Sequence, residues 1–421
     1  MISQLLALVS QGHDICSDSR TLAAGQIFFA LKGDNFDGNT FAKAALERGA
    51  VAVVVDTLHS GLKADEPGVY KVVNALASLQ ELAHAHRMNW GGTLIGLTGS
   101  NGKTTAKELF RSVLSQSFNV HATDGNFNNH IGLPLTLLGL KKFHEVAVIE
   151  MGANHRGEIA SLTAIAAPDI GYITNFGQAH LEGFGGVDGV IQGKIELYQW
   201  LTSHGKPSLV NDLDPLQMQH AGNNKLPSSK GVVCQSKDQG VHVTIGDARA
   251  QSHLVGDFHS GSLVASVNLG RYMGMADEAI AQGIEAYIPS NNRGQWLTTD
   301  SNRIFLDAYN ANPSSMEASL LAVHALHPEL PHVYIAGDIF EMGSHEKSAH
   351  QGMVNLMQTL DLKTVHLVGL AFSKTQAPPT MVKHDNTKDA LVYLESNPVR
   401  GAMVWIKASR GMALEGLLEA L

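Results

Sequence analysis

The stretch TGSNGKTT, Thr98 to Thr105, joins an apolar run to an amphipathic one. The common phosphate-loop pattern G-x-x-x-x-G-K-[ST] would place its first glycine at position 97, where this chain has Leu97, so the match is partial. Lys103 would still reach the β- and γ-phosphates of a nucleotide, and the hydroxyl of Thr104 or Thr105 would reach Mg²⁺. The alternative is a glycine turn before a helix, without a ligand.

The flanking residues predict a strand, a loop and a helix in that order. TLIGLT precedes the stretch, and apolar residues after it recur at i, i+3, i+4, i+7 and i+8, so we expect a helix to begin near Thr104. Glycines let the backbone turn its N–H groups toward an anion, and the amino end of a helix adds partial positive charge. ATP is the expected occupant. The predicted ATP-binding residues of this loop are Gly99, Ser100, Asn101, Gly102, Lys103, Thr104 and Thr105.

The alternation of strand and helix continues along the chain. EVAVIEM precedes the helical GEIASLTAIA, and DIGYITNFG precedes GVIQGKIELYQWL, which predicts a mostly parallel central sheet flanked by helices. RIFLDAY, HVYIAGD, TVHLVGL and AMVWIKAS predict strands of a further α/β domain. We therefore expect an α/β protein of three domains. These are a small α/β domain at 1–84, a central ATP-binding domain at 85–288 and a Rossmann-like C-terminal domain at 289–421.

Composition limits the class of protein. With 421 residues, 44% hydrophobic and 16% charged, the chain can bury several cores and is not typical of disordered proteins. A net charge of -9 opposes non-specific binding to nucleic acid or anionic membrane. No apolar stretch approaches the roughly 18 residues of a membrane helix, and no basic residue precedes Arg20, so we expect neither membrane span nor signal peptide. Cys16 and Cys234 predict no disulfide framework or zinc site and fit a reducing cytoplasm.

Polar side chains follow successive strands of the predicted central sheet. Glu150 ends EVAVIE, and His180 follows YITNFGQA. Because the carboxyl ends of parallel strands converge on the ligand crevice, a carboxylate and a neutral imidazole there could bind a divalent cation. A structural role is the alternative for His180, one histidine among 21. Lys194 lies one turn into the following helix, and a solvated lysine is its alternative.

Longer segments resemble the Mur ligase superfamily, which also contains folylpolyglutamate synthetases. The shortened G-x-x-G-K-T-T and the run NFGQAHLEGFGGVDGVIQGKIE are similar to that superfamily's phosphate loop and to its segment with a metal-binding histidine and a carbamylated lysine. By this likeness His180 binds Mg²⁺ and Lys194 is the carbamylated position. The segments that point to the branch adding D-Ala-D-Ala to UDP-MurNAc-tripeptide are EMGANHRGEI (150–159), DAYNANPSSM (307–316), AGDIFEMGSHEKSAH (336–350) and IKASRGMALE (406–415).

The resemblance also implies substrate and nucleotide contacts. SDSR and FFALKGDNFDGN look like that branch's UDP-sugar domain, and GNFNNHIGLP resembles its loop facing the sugar-pyrophosphate and peptide. Asp338 resembles the family's nucleotide-contacting aspartate, and Lys103, Glu150, His180 and Lys194 are the expected catalytic set. The implied substrate-binding residues are Ser19, Arg20, Lys32, Asn128, Asn129, Lys407 and Arg410.

Side-chain chemistry suggests roles near the predicted third domain. The amides of Asn310 and Asn312 suit adenine, with Tyr309 able to stack; an Asx turn before Pro313 is the alternative. Arg293 could bind the γ-phosphate or ribose. Lys407 and Arg410 would hold a carboxylate or phosphate, unless they are a solvated pair.

Two departures from the family pattern stand out. The family commonly has an Asn-x-x-Asn pair entering the last helix of the central domain, where this chain has His259 and Ser262. Ala408 replaces a usual glycine in IKASR, which narrows the loop's dihedral options. The first departure weakens the adenine assignment, whereas neither touches the metal and phosphate assignments.

The resemblance implies an ATP-dependent peptide ligase that works through an acyl phosphate and closes its third domain on ATP to exclude water. We expect it to be cytoplasmic and monomeric. Alternatives are another Mur-type amino-acid ligase, a simple phosphotransferase or NTPase, and a non-catalytic nucleotide-binding relative.

Overall fold

A computed structural model describes residues 1–59, 61–178, 180–226, 231–237 and 240–421. The chain divides into two compact units. The first comprises Met1–Leu97, Phe118–Ala153 and Gly157–Gly171, and the second comprises Thr98–Ser117, Asn154–Arg156 and Tyr172–Leu421.

The amino-terminal residues form a small parallel sheet. Its strands, in spatial order, are β1 (Ile15–Cys16), β2 (Ile27–Phe29), β5 (Ala52–Val55) and β6 (Val69–Lys71), and β3 (Lys32–Gly33) pairs with β4 (Phe36–Asp37) in a separate hairpin. Every residue of β2 and β5 is buried, which is typical of parallel strands covered on both faces.

The middle of the sequence forms a six-stranded sheet. In spatial order its strands are β12 (Lys225–Leu226), β11 (Ser208–Leu209), β10 (Ile170–Ile173), β7 (Thr93–Thr98), β9 (Val146–Glu150) and β8 (Val120–Ala122). The β7–β9, β8–β9 and β11–β12 pairs are parallel. All of β9 and β10 and all but the first residue of β7 are buried, as the continuous apolar runs predict.

Helices connect and cover the strands. Their bounds are α1 (Ile2–Ser10), α2 (Ala42–Glu47), α3 (Ala75–Asn89), α4 (Lys103–Leu114), α5 (Gly132–Leu138), α6 (Glu158–Ala166), α7 (Leu181–Phe184), α8 (Val187–Ser203), α9 (Pro215–His220), α10 (Ser260–Tyr272), α11 (Asp277–Ala286), α12 (Pro313–His324), α13 (Glu346–Thr359), α14 (Leu370–Ser373) and α15 (Thr387–Ser396). No helix in the described ranges is long and apolar enough to cross a bilayer.

The last turn of α3 is held by the residues that lead into β10. Buried Arg87 donates to Asp169 at 2.6 Å and to the carbonyl of Ala166 at 3.2 Å. The predicted domain boundary between residues 84 and 85 therefore falls inside a helix, and the division into 1–84, 85–288 and 289–421 stays a prediction.

Helix α4 packs closely against α11. A Cβ at Gly283 would lie 2.4 Å from the Cα of Val113, and Ser112 donates its hydroxyl to the Gly283 carbonyl at 2.7 Å. The helix that follows the phosphate loop is thus held by close contact between the backbones of α4 and α11.

An antiparallel three-stranded sheet in the second unit consists of β13 (Val232–Lys237), β14 (Gly240–Ile245) and β15 (Ala248–Gln251).

The carboxyl-terminal residues form a second six-stranded sheet. In spatial order its strands are β16 (Gln295–Thr298), β17 (Arg303–Asp307), β21 (Met403–Lys407), β18 (His332–Gly337), β19 (Thr364–Val368) and β20 (Met381–His384). Only the β16–β17 pair is antiparallel within this sheet. Ile304, Val333 and Val404 belong to its buried core. The predicted α/β class with mostly parallel sheets flanked by helices is confirmed.

Candidate active site

The loop between β7 and α4 is held in a fixed shape by the end of β10. Gly99 has φ 147°, and a Cβ there would lie 1.9 Å from Oγ1 of Thr174, so only glycine fits. Thr174 donates this hydroxyl to the Asn101 carbonyl at 2.6 Å, and the Asn101 amide donates to the side chain of Asn175 at 3.0 Å. Gly102 has φ 74° immediately before α4. The predicted strand, loop and helix are therefore present.

Lys103 begins α4 and folds back over the loop. Its Nζ donates to the carbonyl of Gly99 at 2.8 Å and to that of Ser100 at 3.2 Å, while the Ser100 hydroxyl donates to the Gly177 carbonyl at 2.9 Å. Thr104 is half-buried and Thr105 is buried in the first turn. The ammonium and the amino end of α4 thus lie together, which is an arrangement suited to an anion.

Residues at the amino end of α12 contact this loop through Asn101. Its Nδ2 donates to the Ser314 hydroxyl at 3.1 Å, and its Oδ1 accepts from Nδ2 of Asn312 at 2.5 Å. Asn312 also caps α12 by accepting from the Ser315 amide at 2.9 Å. The side chain that we expected to read adenine is therefore engaged in a helix cap and an interloop contact, closer to the Asx-turn alternative.

The other residues predicted to meet the nucleotide have their own contacts. Oδ1 of Asn310 accepts from the Ala311 amide at 2.9 Å. The guanidinium carbon of Arg293 lies 3.5 Å from the centroid of the Tyr309 ring, a cation–π contact. Arg293 thus covers a face of the Tyr309 ring, which we expect to stack on adenine. Its cation lies beside the segment in which Asn312 contacts the phosphate loop.

His180 precedes α7 and contacts the carboxylate of Glu341 through Nδ1. Both residues have left-handed backbones, with φ 54° and 60°. Burial lowers the pKa of the His180 imidazole, the Glu341 carboxylate opposes that shift, and Lys103 and Lys194 add to it. A neutral imidazole is the form that binds metals. Ala179, within the family-like segment, lies outside the described residues.

Lys194 is 1% exposed, so the solvated-lysine alternative is wrong. Its Nζ lies 5.1 Å from the centroid of the Phe184 ring. Gly193 makes room for that ring, because a Cβ there would lie 2.4 Å from Cε1 of Phe184, whereas Gly189 makes room for the Phe184 carbonyl oxygen, which would lie 1.8 Å from a Cβ at Gly189. The helix α8 therefore delivers a lysine into an interior lined by an aromatic face.

Glu150 belongs to a cluster in the first unit. Its carboxylate is buried at the end of β9 and accepts from Nδ2 of Asn128 at 2.8 Å, while its amide donates to the Thr123 hydroxyl at 2.9 Å. Asn129, next in the loop, accepts from the amides of Ile131 at 3.1 Å and Gly132 at 2.9 Å. Asn128 thus positions the carboxylate, a role that the sequence pattern had not predicted.

The predicted sugar-binding residues lie at the surface of the amino-terminal sheet. Arg20 pairs with Asp18 and holds the pKa of that carboxyl at about 2, and the Ser19 carbonyl accepts from Arg48. Lys32 contacts Asp56 at 2.9 Å. The role of Ser19, Arg20 and Lys32 in substrate binding stays a prediction.

Three further residues predicted to contact ligands lie at the carboxyl ends of β18 and β21 or shortly after them. Asp338 accepts from the amides of Ala371 at 3.0 Å and Phe372 at 2.9 Å, so its carboxylate caps the short α14. Lys407, 2% exposed, pairs with Asp307 and donates to the Asn310 carbonyl at 3.2 Å, so it is not a solvated residue.

Arg410 is exposed and pairs with Glu415. Its guanidinium therefore remains the more accessible cation of the pair predicted in IKASR.

The departures from the family pattern have local explanations. Ala408 is fully buried, and a Cβ at Gly337 would lie 2.6 Å from its methyl group, so the methyl occupies space left by a neighbouring glycine. His259 precedes α10, and burial lowers its pKa to about 4, with Asp307 opposing and Lys407 adding to the shift. The uncommon His259 therefore lies among charged groups of the carboxyl-terminal sheet.

Three family models match the chain. They are the Mur ligase middle domain over residues 97–269, the Mur ligase family catalytic domain over 12–87 and the Mur ligase glutamate ligase domain over 292–410. The chain is similar to the UDP-N-acetylmuramoyl-tripeptide–D-alanyl-D-alanine ligase of Bacillus subtilis, with 33% identity over 97% of this chain and 93% of the relative. The ligase of that name from Escherichia coli is 30% identical over 100% and 98%.

Solved structures match over nearly the whole length. A MurF structure from Acinetobacter baumannii gives a TM-score of 0.86 at 26% identity, covering 99% of this chain and 97% of that one. MurF from Thermotoga maritima, solved with ADP, also gives 0.86, at 24% identity, covering 98% and 97%, and supports the fold.

Proposed function

This chain belongs to the Mur ligase family, and from that premise we propose that it is an ATP-dependent ligase that joins D-alanyl-D-alanine to UDP-N-acetylmuramoyl-tripeptide, with release of ADP and phosphate. The observation that carries the proposal is that ligases of that printed name align with 97–100% of the chain at 30–33% identity. The phosphate loop and the residues around it give the proposal its chemistry.

The proposed reaction begins when the substrate carboxylate attacks the γ-phosphate of ATP to form an acyl phosphate. Two unit anions about 4 Å apart repel by roughly 4 kcal/mol at an effective dielectric constant of 20. Cations placed beforehand offset this repulsion, as phosphoryl transfer requires. Lys103 at the loop and Arg293 beside Tyr309 are the two cations of the second unit that we propose for this role. The amine of the dipeptide then displaces phosphate and forms the amide.

Thr104, Glu150 and His180 would hold Mg²⁺, which neutralises charge on the phosphates. Each side chain has the chemistry of a ligand: a hydroxyl, a buried carboxylate and an imidazole, of which the imidazole suits a softer metal better. Among the described residues no group of three His, Cys, Asp or Glu side chains could hold a metal by itself. Phosphate oxygens and water would therefore complete the coordination, as is common for Mg²⁺.

Lys194 is the proposed site of carbamylation. A charged ammonium at a position that is 1% exposed carries a desolvation cost. Loss of a proton gives the neutral amine, which forms a C–N bond to CO₂ and releases a second proton to solvent, so that a carbamate anion replaces the ammonium; this anion would order the cation beside it. Burial against Phe184 keeps the modified group away from bulk water.

The proposed roles of the three domains follow the family. Residues 1–84 bind the UDP-sugar through Ser19, Arg20 and Lys32, with Asn128 and Asn129 contributing from the next domain. Residues 85–288 bind ATP, and residues 289–421 close on it and bind the acceptor dipeptide, for which Arg410 supplies an exposed cation. We place the reaction in cytoplasmic peptidoglycan precursor synthesis.

A phosphate-release assay tests the activity. With UDP-MurNAc-tripeptide, ATP and Mg²⁺, we expect release to require D-Ala-D-Ala and the Lys103→Met variant to be slower by about 1,000-fold. Turnover with single D-amino acids only would move the assignment to another Mur-type ligase. Release without an amine acceptor would favour a phosphotransferase or NTPase, and ATP binding without turnover would favour a non-catalytic relative.

A further inference from the structure

The contact between His180 and Glu341 joins two strained segments. Eight described non-glycine residues have a positive φ, and these two contact each other through Nδ1 and a carboxylate oxygen. A residue held in a sparsely populated region of φ/ψ space is unfavourable by itself, and such residues cluster at functional sites. A surface ion pair contributes little to stability, so it does not account for two such backbones.

A glycine in close contact with a neighbouring segment follows each of the two residues. A Cβ at Gly183, three residues after His180, would lie 2.3 Å from the Asn154 carbonyl oxygen. A Cβ at Gly343, two residues after Glu341, would lie 3.1 Å from the Cβ of Glu182. Both segments therefore pack tightly close to the left-handed residues.

The chemistry of the contact concerns the tautomer of the imidazole. When a carboxylate accepts from Nδ1–H, the lone pair lies on Nε2, the nitrogen that can bind a metal. Histidines that bind metals usually donate their other N–H to a carboxylate, carbonyl or water, which fixes the ring and raises its basicity.

We propose that Glu341 is a positioning residue for His180, supplied by residues 289–421, which orients the imidazole and selects its metal-binding tautomer. This inference rests on the proposed role of His180 as a Mg²⁺ ligand. It makes the affinity for the metal depend on the presence of the carboxyl-terminal segment at α7. Binding of the cation and approach of this segment are then coupled to each other.

The test measures Mn²⁺ binding by electron paramagnetic resonance in the full-length protein with a non-hydrolysable ATP analogue. The Glu341→Gly variant suits the left-handed backbone and removes the carboxylate, and we expect its Mn²⁺ affinity to fall about tenfold or more. The Glu341→Gln variant keeps an acceptor oxygen and should lose less. Asp361→Gly is the matched control, because Asp361 is also an acidic residue with positive φ (52°) and pairs with Lys363 instead.

A second readout is independent of metal and of catalysis. In protein with ¹⁵N-labelled histidine, we expect His180 to be the Nδ1–H tautomer in the wild type and a mixture of tautomers in Glu341→Gly. Unchanged Mn²⁺ affinity and an unchanged tautomer in that variant would overturn the inference while leaving the ligase assignment intact. Failure of the wild type to bind Mn²⁺ would overturn both the inference and the metal assignment.

Discussion

Two residue pairs in the second unit, His180 with Glu341 and His366 with His384, use the imidazole ring for different purposes. His180 and Glu341 lie on turns with left-handed backbones, and the imidazole is 21% exposed. His366 and His384 lie on the adjacent parallel strands β19 and β20, with Nδ1 of the former 3.1 Å from Nε2 of the latter. Both of these are buried, and the ring of Tyr393 lies 5.5 Å and 5.2 Å from them.

The chemistry of the partner side chain and the backbone conformation distinguish the two pairs better than the pKa of the histidine does. Burial is the largest cause of the lowered pKa of His180 and of His366, the latter to about 4. His366 and His384 are hydrogen-bonded to each other on adjacent strands inside a core, and neither has a positive φ. The His180 pair joins an imidazole to a charged partner on strained turns. The first arrangement serves stability and the second is suited to function.

Replacement of His180 should have the largest effect on activity. We expect His180→Asn to lower kcat by about 100-fold or more, because a proposed ligand of the cation is lost. Asparagine tolerates the left-handed backbone, so the free energy of unfolding should change by less than about 0.5 kcal/mol. Steady-state kinetics and urea unfolding measure the two effects. A loss of kcat that is accompanied by a comparable loss of folding free energy would show that His180 has a structural role.

Lowering the pH should destabilise the fold through the His366–His384 pair. The folded-state pKa of His366, about 4, lies below its ordinary value of about 6.5, so the unfolded chain binds more protons between these values. Stability should therefore fall as the pH drops through this window, by about 3 kcal/mol for this group. Urea unfolding at pH 7 and pH 4 measures the loss. The His366→Leu variant should lose about 3 kcal/mol less over the same interval.

The His366→Leu variant should also be less stable than the wild type at neutral pH. His366→Leu leaves the buried imidazole of His384 without its hydrogen-bond partner, which should lower the free energy of unfolding by about 2 kcal/mol. Below its unfolding temperature the variant should keep the kcat of the wild type. A drop in kcat with unchanged stability would contradict the structural role of the pair.

Two asparagine residues that cap helices should have smaller effects on stability. Asn312 caps α12 and also contacts Asn101 of the phosphate loop, whereas Asn386 caps α15 by accepting from the Asp389 amide at 3.0 Å. Each change to alanine should lower the free energy of unfolding by about 1 kcal/mol. Only Asn312→Ala should also raise the KM for ATP, by a few-fold. A similar KM in both variants would show that the interloop contact does not position the loop.

The elements that local patterns determine could be predicted from the sequence. The apolar run before Thr98, the glycines of the loop and the helical spacing after it each act within a few residues, and the structure has the strand, loop and helix that they predict. The mostly parallel sheets follow from the same alternation.

Contacts between distant residues could not be predicted in this way. Glu341 sits in a segment whose sequence gives no sign of a left-handed backbone, because glycine or asparagine is the usual signal for one. Asn312 was assigned to adenine from the chemistry of its amide, but a residue before Pro313 at the start of a helix is also a good cap. Only the tertiary structure distinguishes the uses of one side chain.

The contact between Asn312 and Asn101 joins residues 211 positions apart in the chain. Contacts of such long range form late, because the intervening chain must lose much of its entropy before they are made. A refolding chain should therefore regain its helical circular dichroism before it regains nucleotide binding. During synthesis on the ribosome, the phosphate loop would emerge and fold well before the side chain that completes its surroundings.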